Sequence, residues 1–184
     1  AVSITGSGTR VIVSTDGLTW STSTSAANNN WYSVAYGNGK IVAVANNATS
    51  NQVMYSTSGT DPQTSFGQNN GVTWATTSSS FASSWNSVAY GNGMFVAIAG
   101  FGATGLVMTS PDGITWTSRS SAADNAWASV TYGNGVFVAV SESGGTNSIM
   151  TSLDGVTWSI RVLSTSNALS SVSYGGGVFV AVSK

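Results

Sequence analysis

The groups able to do acid–base or ion-pairing chemistry in this 184-residue chain are few. They are Asp16, Asp61, Asp112, Asp124, Asp154 and Glu142 on one side, and Arg10, Arg119, Arg161 and two lysines on the other. Two carboxyl groups held about 5 to 10 Å apart are the apparatus of glycoside hydrolysis. Asp16, Asp112 and Asp154, however, recur in the same local context, which assigns them to a repeated structural turn rather than to one reaction centre. Asp61 falls in an insertion expected on the opposite face from the other two. Asp124 and Glu142 are left as the sole candidate pair, and both read as solvated loop carboxylates. With no Cys and no His, the chain offers no thiol nucleophile, no disulfide and no imidazole base or metal ligand. The expectation is therefore no catalytic residue, no metal and no cofactor.

A formal net charge of −1 provides no field to attract a polyanion, so nucleic acid is not an expected partner. No apolar run approaches the roughly 20 residues that span a bilayer, and membrane insertion is not expected either. Solubility rests on Ser, Thr, Asn and Gly, a composition that fits an extracellular, cell-surface or virion setting. The opening residues lack the basic and apolar regions of a signal peptide, and the missing initiator Met fits a processed or excised chain.

The elements that must position these groups are read from self-similarity, which decides the fold class. Tyr-Gly-Asn-Gly begins at Tyr36, Tyr90 and Tyr132, with the variant Tyr-Gly-Gly-Gly at Tyr174, so the spacings are 54, 42 and 42 residues. Thr-Trp, ending at Trp20, Trp74, Trp116 and Trp158, repeats the same intervals. The additional residues of copy two form one insertion near 57–68. Units of about 1–42, 43–96, 97–138 and 139–180 make a single repeat domain.

Period-two alternation and β-branched residues indicate strands, and no segment carries a 3.6-residue apolar stripe. In copy three, strand one is read over 129–132, the turn at Gly133-Asn134-Gly135 and strand two over 136–140. Asn-Gly favours a primed hairpin turn. Strand three is read over 106–109 and strand four over 114–117. Such a sheet cannot bury both apolar faces alone, and radial stacking of copies buries them. The expected fold is an all-β propeller of four four-stranded antiparallel blades. Trp31, Trp85 and Trp127, with Leu169 in copy four, read as packing between blades. Ala1-Val2-Ser3 repeats Ala181-Val182-Ser183, so the chain starts and ends within the same strand. A closed ring would complete a hybrid blade from residues near 171–183 and 10–23. The alternatives are displaced N-terminal residues, a segment of a longer array, or strand exchange between copies.

The segments Ser14-Thr15-Asp16-Gly17-Leu18-Thr19-Trp20, Ser110-Pro111-Asp112-Gly113-Ile114-Thr115-Trp116 and Ser152-Leu153-Asp154-Gly155-Val156-Thr157-Trp158 lie between strands three and four. A weaker copy is Asn70-Gly71-Val72-Thr73-Trp74. They resemble the Asp-box of bacterial neuraminidase repeats, with one residue fewer between Asp and Gly than the usual form. The resemblance covers all four units and implies a sialidase-like propeller, a group that includes glycosidases, lectins, adhesins and phage tail proteins. It also implies that sialidase activity would need an arginine triad, a Tyr–Glu pair and an acid/base Asp. Arg119 and Arg161 fall at the end of the outermost strand, about 14 Å from the innermost at about 4.8 Å per strand, and are not expected to converge. The resemblance thus implies a non-catalytic member, in which Asp16, Asp112 and Asp154 hold the turns and Trp20, Trp74, Trp116 and Trp158 pack under them.

The four copies can also be compared with each other. Turns one-to-two and three-to-four, at one edge, vary little apart from the insertion. At the other edge the loops diverge, which marks the edge expected to meet a ligand lacking the repeat's symmetry. The candidate contacts there are Arg10, Asn46, Asn47, Phe101, Asp124 and Glu142. Amides and hydroxyls beside aromatic faces favour carbohydrate as the partner. The reading is a non-enzymatic recognition or structural module, such as a lectin-like adhesin or a phage or virion fibre component. The alternatives are a sialidase-like glycoside hydrolase and a purely structural assembly repeat.

Overall fold

A computed structural model describes residues 1–4, 8–46, 51–56, 73–80, 83–100 and 106–183. Among them there are strands and turns and no helix. Three complete antiparallel sheets follow one another: β3 (Trp31–Gly37), β4 (Lys40–Ala45), β5 (Val53–Ser56) and β6 (Trp74–Thr77); then β7 (Trp85–Gly91), β8 (Met94–Ala99), β9 (Val107–Ser110) and β10 (Thr117–Arg119); then β11 (Trp127–Gly133), β12 (Val136–Ser141), β13 (Ile149–Ser152) and β14 (Ser159–Arg161). Two half-sheets flank them: β1 (Val11–Val13) with β2 (Ser21–Ser23), and β15 (Leu169–Gly175) with β16 (Val178–Ser183). The half-sheets together hold the four strands of a fourth blade. The insertion near 57–68 lies outside the described residues.

The hairpins follow from the Asn-Gly pairs. Asn38 and Gly39 both take positive φ, 46° and 71°, as do Asn92–Gly93 and Asn134–Gly135, which is the primed turn that matches strand twist. One expected boundary moves: in copy three the outer strand starts at Thr117, not at residue 114. Asp112 takes the N–H groups of Ile114 and Thr115, so those residues close a turn before the ladder begins.

Neighbouring sheets are joined through their innermost strands by a contact that recurs three times. Gly37, Gly91 and Gly133 lie under the rings of Tyr90, Tyr132 and Tyr174 of the following sheet, so close that a Cβ would sit 2.0–2.1 Å from the ring's Cγ. Beside each ring a serine reaches across. The N–H groups of Val88, Val130 and Val172 donate to the Oγ of Ser33, Ser87 and Ser129 at 3.1–3.2 Å. Each of the three rings then packs on a phenylalanine of its own sheet, as Tyr132 does on Phe137 with centroids 4.6 Å apart. Trp31, Trp85 and Trp127 are buried in the resulting core, and Trp85 and Trp127 belong to one cluster that runs through the three complete sheets.

The fourth blade is not joined within the chain. β16 has only β15 as a partner among the described residues, and β1 pairs instead with the N-terminus through Val2↔Val11. Val34 is 39% exposed, whereas its repeat equivalents Val88, Val130 and Val172 are 5–6% exposed beneath a neighbouring blade.

The Gly–Tyr contact yields a test. Gly91→Ala forces the Tyr132 ring to move and should cost about 1–3 kcal/mol, in the range of core overpacking. Urea denaturation checks this, and an unchanged midpoint would show that the contact does not bear on stability.

Candidate functional site

The repeated loops at one edge are self-contained. In Ser110–Trp116 one Asp112 carboxylate oxygen accepts from the N–H groups of Ile114 and Thr115, both at 2.8 Å, and from Ser110 Oγ at 2.9 Å. Ser110 Oγ in turn accepts from Gly113 N–H, and the Trp116 indole donates to the Gly113 carbonyl. The same set of bonds recurs around Asp16 and Asp154. Each is an Asx turn closed by an indole; Trp116 and Trp158 are buried, whereas Trp20 is exposed rather than packed beneath a neighbouring blade.

These bonds favour the ionised form. Asp154 falls from the ordinary 3.8 to about 2, held down first by Thr157 N–H, then by Val156 N–H, with burial opposing and Ser152 adding. Asp16 is lowered further, by the Thr19 N–H and hydroxyl and then by Leu18 N–H and Ser14. At Asp112 burial is the largest influence and raises the pKa, but the Thr115, Ile114 and Ser110 bonds together outweigh it. The Asp112 and Asp154 turns lie against the preceding blade: Asn38 Nδ2 donates to the Pro111 carbonyl at 3.1 Å, and a Cβ at Gly113 would meet Val42 and one at Gly155 Val96, whereas one at Gly17 would meet nothing within 4 Å.

At the opposite edge the inner strands open into a cavity of about 510 Å³, lined by Tyr32, Asn46, Asn86, Gly100, Ala126, Ala128, Glu142 and Ser170. Four of these residues share one origin. Every inner hairpin slips by one residue after its first position, between Trp31 and Ser33, Trp85 and Ser87, Trp127 and Ser129, and Leu169 and Ser171. The residues left unpaired are Tyr32, Asn86, Ala128 and Ser170. A bulge re-aims the side chain it carries, and here four bulges converge on one space.

Asn46 donates to Asn86 Oδ1, and Asn86 Nδ2 donates to the Trp127 carbonyl at 2.9 Å, so the amide pair is fixed across two blades. Gly100 makes room for it, since a Cβ there would lie 2.5 Å from Asn86 Nδ2. Tyr32 is 48% exposed, which leaves much of the side chain free for a ligand.

Of the residues read from the sequence, Asn46 and Glu142 line this cavity. Arg10 braces the entry to the first inner strand, its guanidinium donating to the Asn29 carbonyl at 2.8 Å and to Asn30 Oδ1 at 2.9 Å. Asp124 is exposed on the connection before β11 and is not among the lining residues. Asn47 and Phe101 lie outside the described residues. Tyr32, Asn86, Ala128 and Ser170 were not foreseen, although copy-to-copy divergence marks them too, because they sit within strands rather than loops. Arg119 and Arg161 stay on the outermost strands, each with Nε on a threonine of the adjacent strand, Thr109 and Thr151. Among the described residues no three acidic side chains gather into a metal-binding group.

No protein-family model matches the chain, and no curated protein matches it. Solved structures do. The chain is similar to the computationally designed Ika4 protein at 12% identity and TM-score 0.57, covering 86% of this chain and 88% of that one. It is similar to YCF48, solved bound to D1 peptide, at 20% identity and TM-score 0.60 over 91% of this chain and 51% of that one. YCF48 from Cyanidioschyzon merolae aligns at 16% identity and TM-score 0.53, over 86% of this chain. The fold is a β-propeller. The chain spans about half the length of either YCF48 chain.

The turn chemistry predicts a pH response. A carboxylate whose pKa is depressed by folding contributes stability above its unfolded pKa and loses it as pH falls through the folded one. For Asp154 that window runs from about pH 4 down to about pH 2. Asp112→Ala should cost about 0.5–2 kcal/mol at neutral pH, as for a lost side-chain cap. Asp154→Ala should flatten the acid limb of stability. Urea midpoints between pH 7 and pH 2.5 check both, and an unaltered acid limb in Asp154→Ala would contradict the assignment.

Proposed function

We propose that the chain is a non-catalytic binding module of the Asp-box propeller type, and that its ligand is a carbohydrate seated in the axial cavity. The observation that carries this reading is the convergence of four register-equivalent bulges bearing four different side chains, Tyr32, Asn86, Ala128 and Ser170. A fold requirement would favour the same residue in each copy. A ligand without fourfold symmetry needs a different group from each blade.

The chemistry suits a sugar. The cavity volume, about 510 Å³, falls in the range of small-ligand sites. An exposed phenol ring supplies an apolar face with a polar tip, and the fixed Asn46–Asn86 pair with Ser170 supplies donors and acceptors for hydroxyl groups. Among the described residues the cavity lining holds one carboxylate, Glu142, whereas ordinary glycoside hydrolysis needs two. Asp16, Asp112 and Asp154 are engaged in their own turns at the other edge. A lectin-like role in an extracellular, cell-surface or virion fibre protein is the setting that this composition favours.

The test is a broad glycan panel probed with the full chain, followed by two variants. Tyr32→Ala should weaken the selected glycan at least tenfold, about 1.4 kcal/mol, while the melting midpoint holds. Asn134→Ala keeps the positive φ of 47° but removes the short amide that makes left-handed backbone tolerable there, and should cost about 1 kcal/mol of stability while affinity holds. A glycan whose affinity ignores Tyr32→Ala, or no glycan bound at all, contradicts the reading, and turnover of a glycoside would replace it with an enzyme.

A further inference from the structure

We infer that the open edge of β16 is an interaction surface for a second copy of this chain, whose β1 and β2 supply strands three and four of the shared blade. Four unfilled half-sites support this, and each is half of a contact already made elsewhere in the molecule.

The first is the strand edge. In the complete third sheet, β12 and β13 pair with Phe137↔Ser152, Val138↔Thr151, Ala139↔Met150 and Val140↔Ile149. The repeat makes the equivalent pairing Phe179↔Ser14, Val180↔Val13, Ala181↔Ile12 and Val182↔Val11. The register is already marked on β1, because Val2 of Ala1-Val2-Ser3 pairs with Val11, where Val182 of the identical triplet would pair. Three hydrogen bonds hold residues 1–3 on this edge, Ser3 N–H to the Arg10 carbonyl, Ile12 N–H to the Ala1 carbonyl and the Ala1 amine to the Ile12 carbonyl, and the incoming six-residue β16 takes their place. β16 is exposed along its whole length, and an uncovered apolar edge of this kind templates strand addition.

The second half-site is aromatic. Phe95 and Phe137 each pack on the loop tryptophan of their own sheet, Trp116 and Trp158, with centroids 6.5 Å apart. Phe179 lacks a tryptophan partner in its sheet, and Trp20 is 51% exposed against 8–9% for Trp116 and Trp158. The third is the glycine shelf: a Cβ at Gly175 meets nothing within 4 Å, whereas its equivalents Gly37, Gly91 and Gly133 each carry a tyrosine. Tyr36, the repeat's remaining tyrosine, is 53% exposed. The fourth is the inner-strand bond, with Ser171 standing where Ser129 accepts from Val172 and Val34 standing where Val172 donates.

All four pairs match in one head-to-tail arrangement, in which β15 and β16 of one copy meet β1, β2 and the exposed face of β3 of the next. Within a single chain these half-sites remain unmet, and the edge of β1 is held by residues 1–3. Such a heterologous contact closes as a ring or continues as a filament according to its rotation.

Gly175→Ala isolates the contact. Its φ is not positive and the added methyl touches nothing within one chain, yet it would occupy the seat of the incoming Tyr36. Sedimentation of the wild-type chain should give at least twice the 18.6 kDa chain mass, and Gly175→Ala should shift it towards the single-chain mass at unchanged circular dichroism. Because the chain has no cysteine, a mixture of Ala181→Cys and Ile12→Cys chains should oxidise to a dimer containing one of each. A single-chain mass for the wild type at all concentrations overturns the proposal. So does a disulfide that forms within one Ala181→Cys/Ile12→Cys chain while the mixture yields no mixed dimer, since β16 would then be filled by its own β1.

Discussion

The contact on which the structure depends is the tyrosine laid on the last residue of the neighbouring innermost strand, just before its hairpin turn, a position that only glycine can hold. Tyr90 on Gly37, Tyr132 on Gly91 and Tyr174 on Gly133 set the spacing of the inner strands, and the serine-to-amide bonds beside them set their height. Once the inner strands are fixed in this way, the bulges at their far ends are carried to one cavity. The Gly-Asn-Gly segments therefore serve the cavity at the opposite edge although no atom of theirs reaches it.

Charge has little part in this arrangement. With six acidic and five basic residues, the fold relies on apolar burial between blades and on hydrogen bonds that each loop makes to itself. The ionised Asp16, Asp112 and Asp154 act as caps on backbone donors within their own turns. This division leaves the cavity edge outside the repeated turn scaffold, tied between blades by the Asn46–Asn86–Trp127 bonds, so its side chains can differ from blade to blade.

Much of the fold was legible because the repeat states its own grammar: Asn-Gly fixed the primed turns, alternation fixed the inner hairpins, and the 42-residue period fixed the sheet count. The start of the outer strand at Thr117 was misplaced because a β-rich string from residue 114 hides the competition between Asp112 and the ladder for the same N–H groups. The bulges were not legible, since Trp-x-Ser-Val alternates as well with a slip as without one. For that reason Asn46 and Glu142, at strand ends, were found by comparing copies, while Tyr32 and Asn86 were passed over. Arg10 and Asp124 were drawn in by loop divergence alone, which does not say where a loop points.

Amide chemical-shift mapping of the full chain during titration with a saccharide is the most direct test of whether the four bulges form a binding seat. Perturbations centred on Tyr32, Asn86, Ala128 and Ser170 and extending to Asn46 and Glu142 are the predicted result. Perturbations centred on the turns at Asn38, Asn92 and Asn134, with the axial amides unmoved, would contradict it.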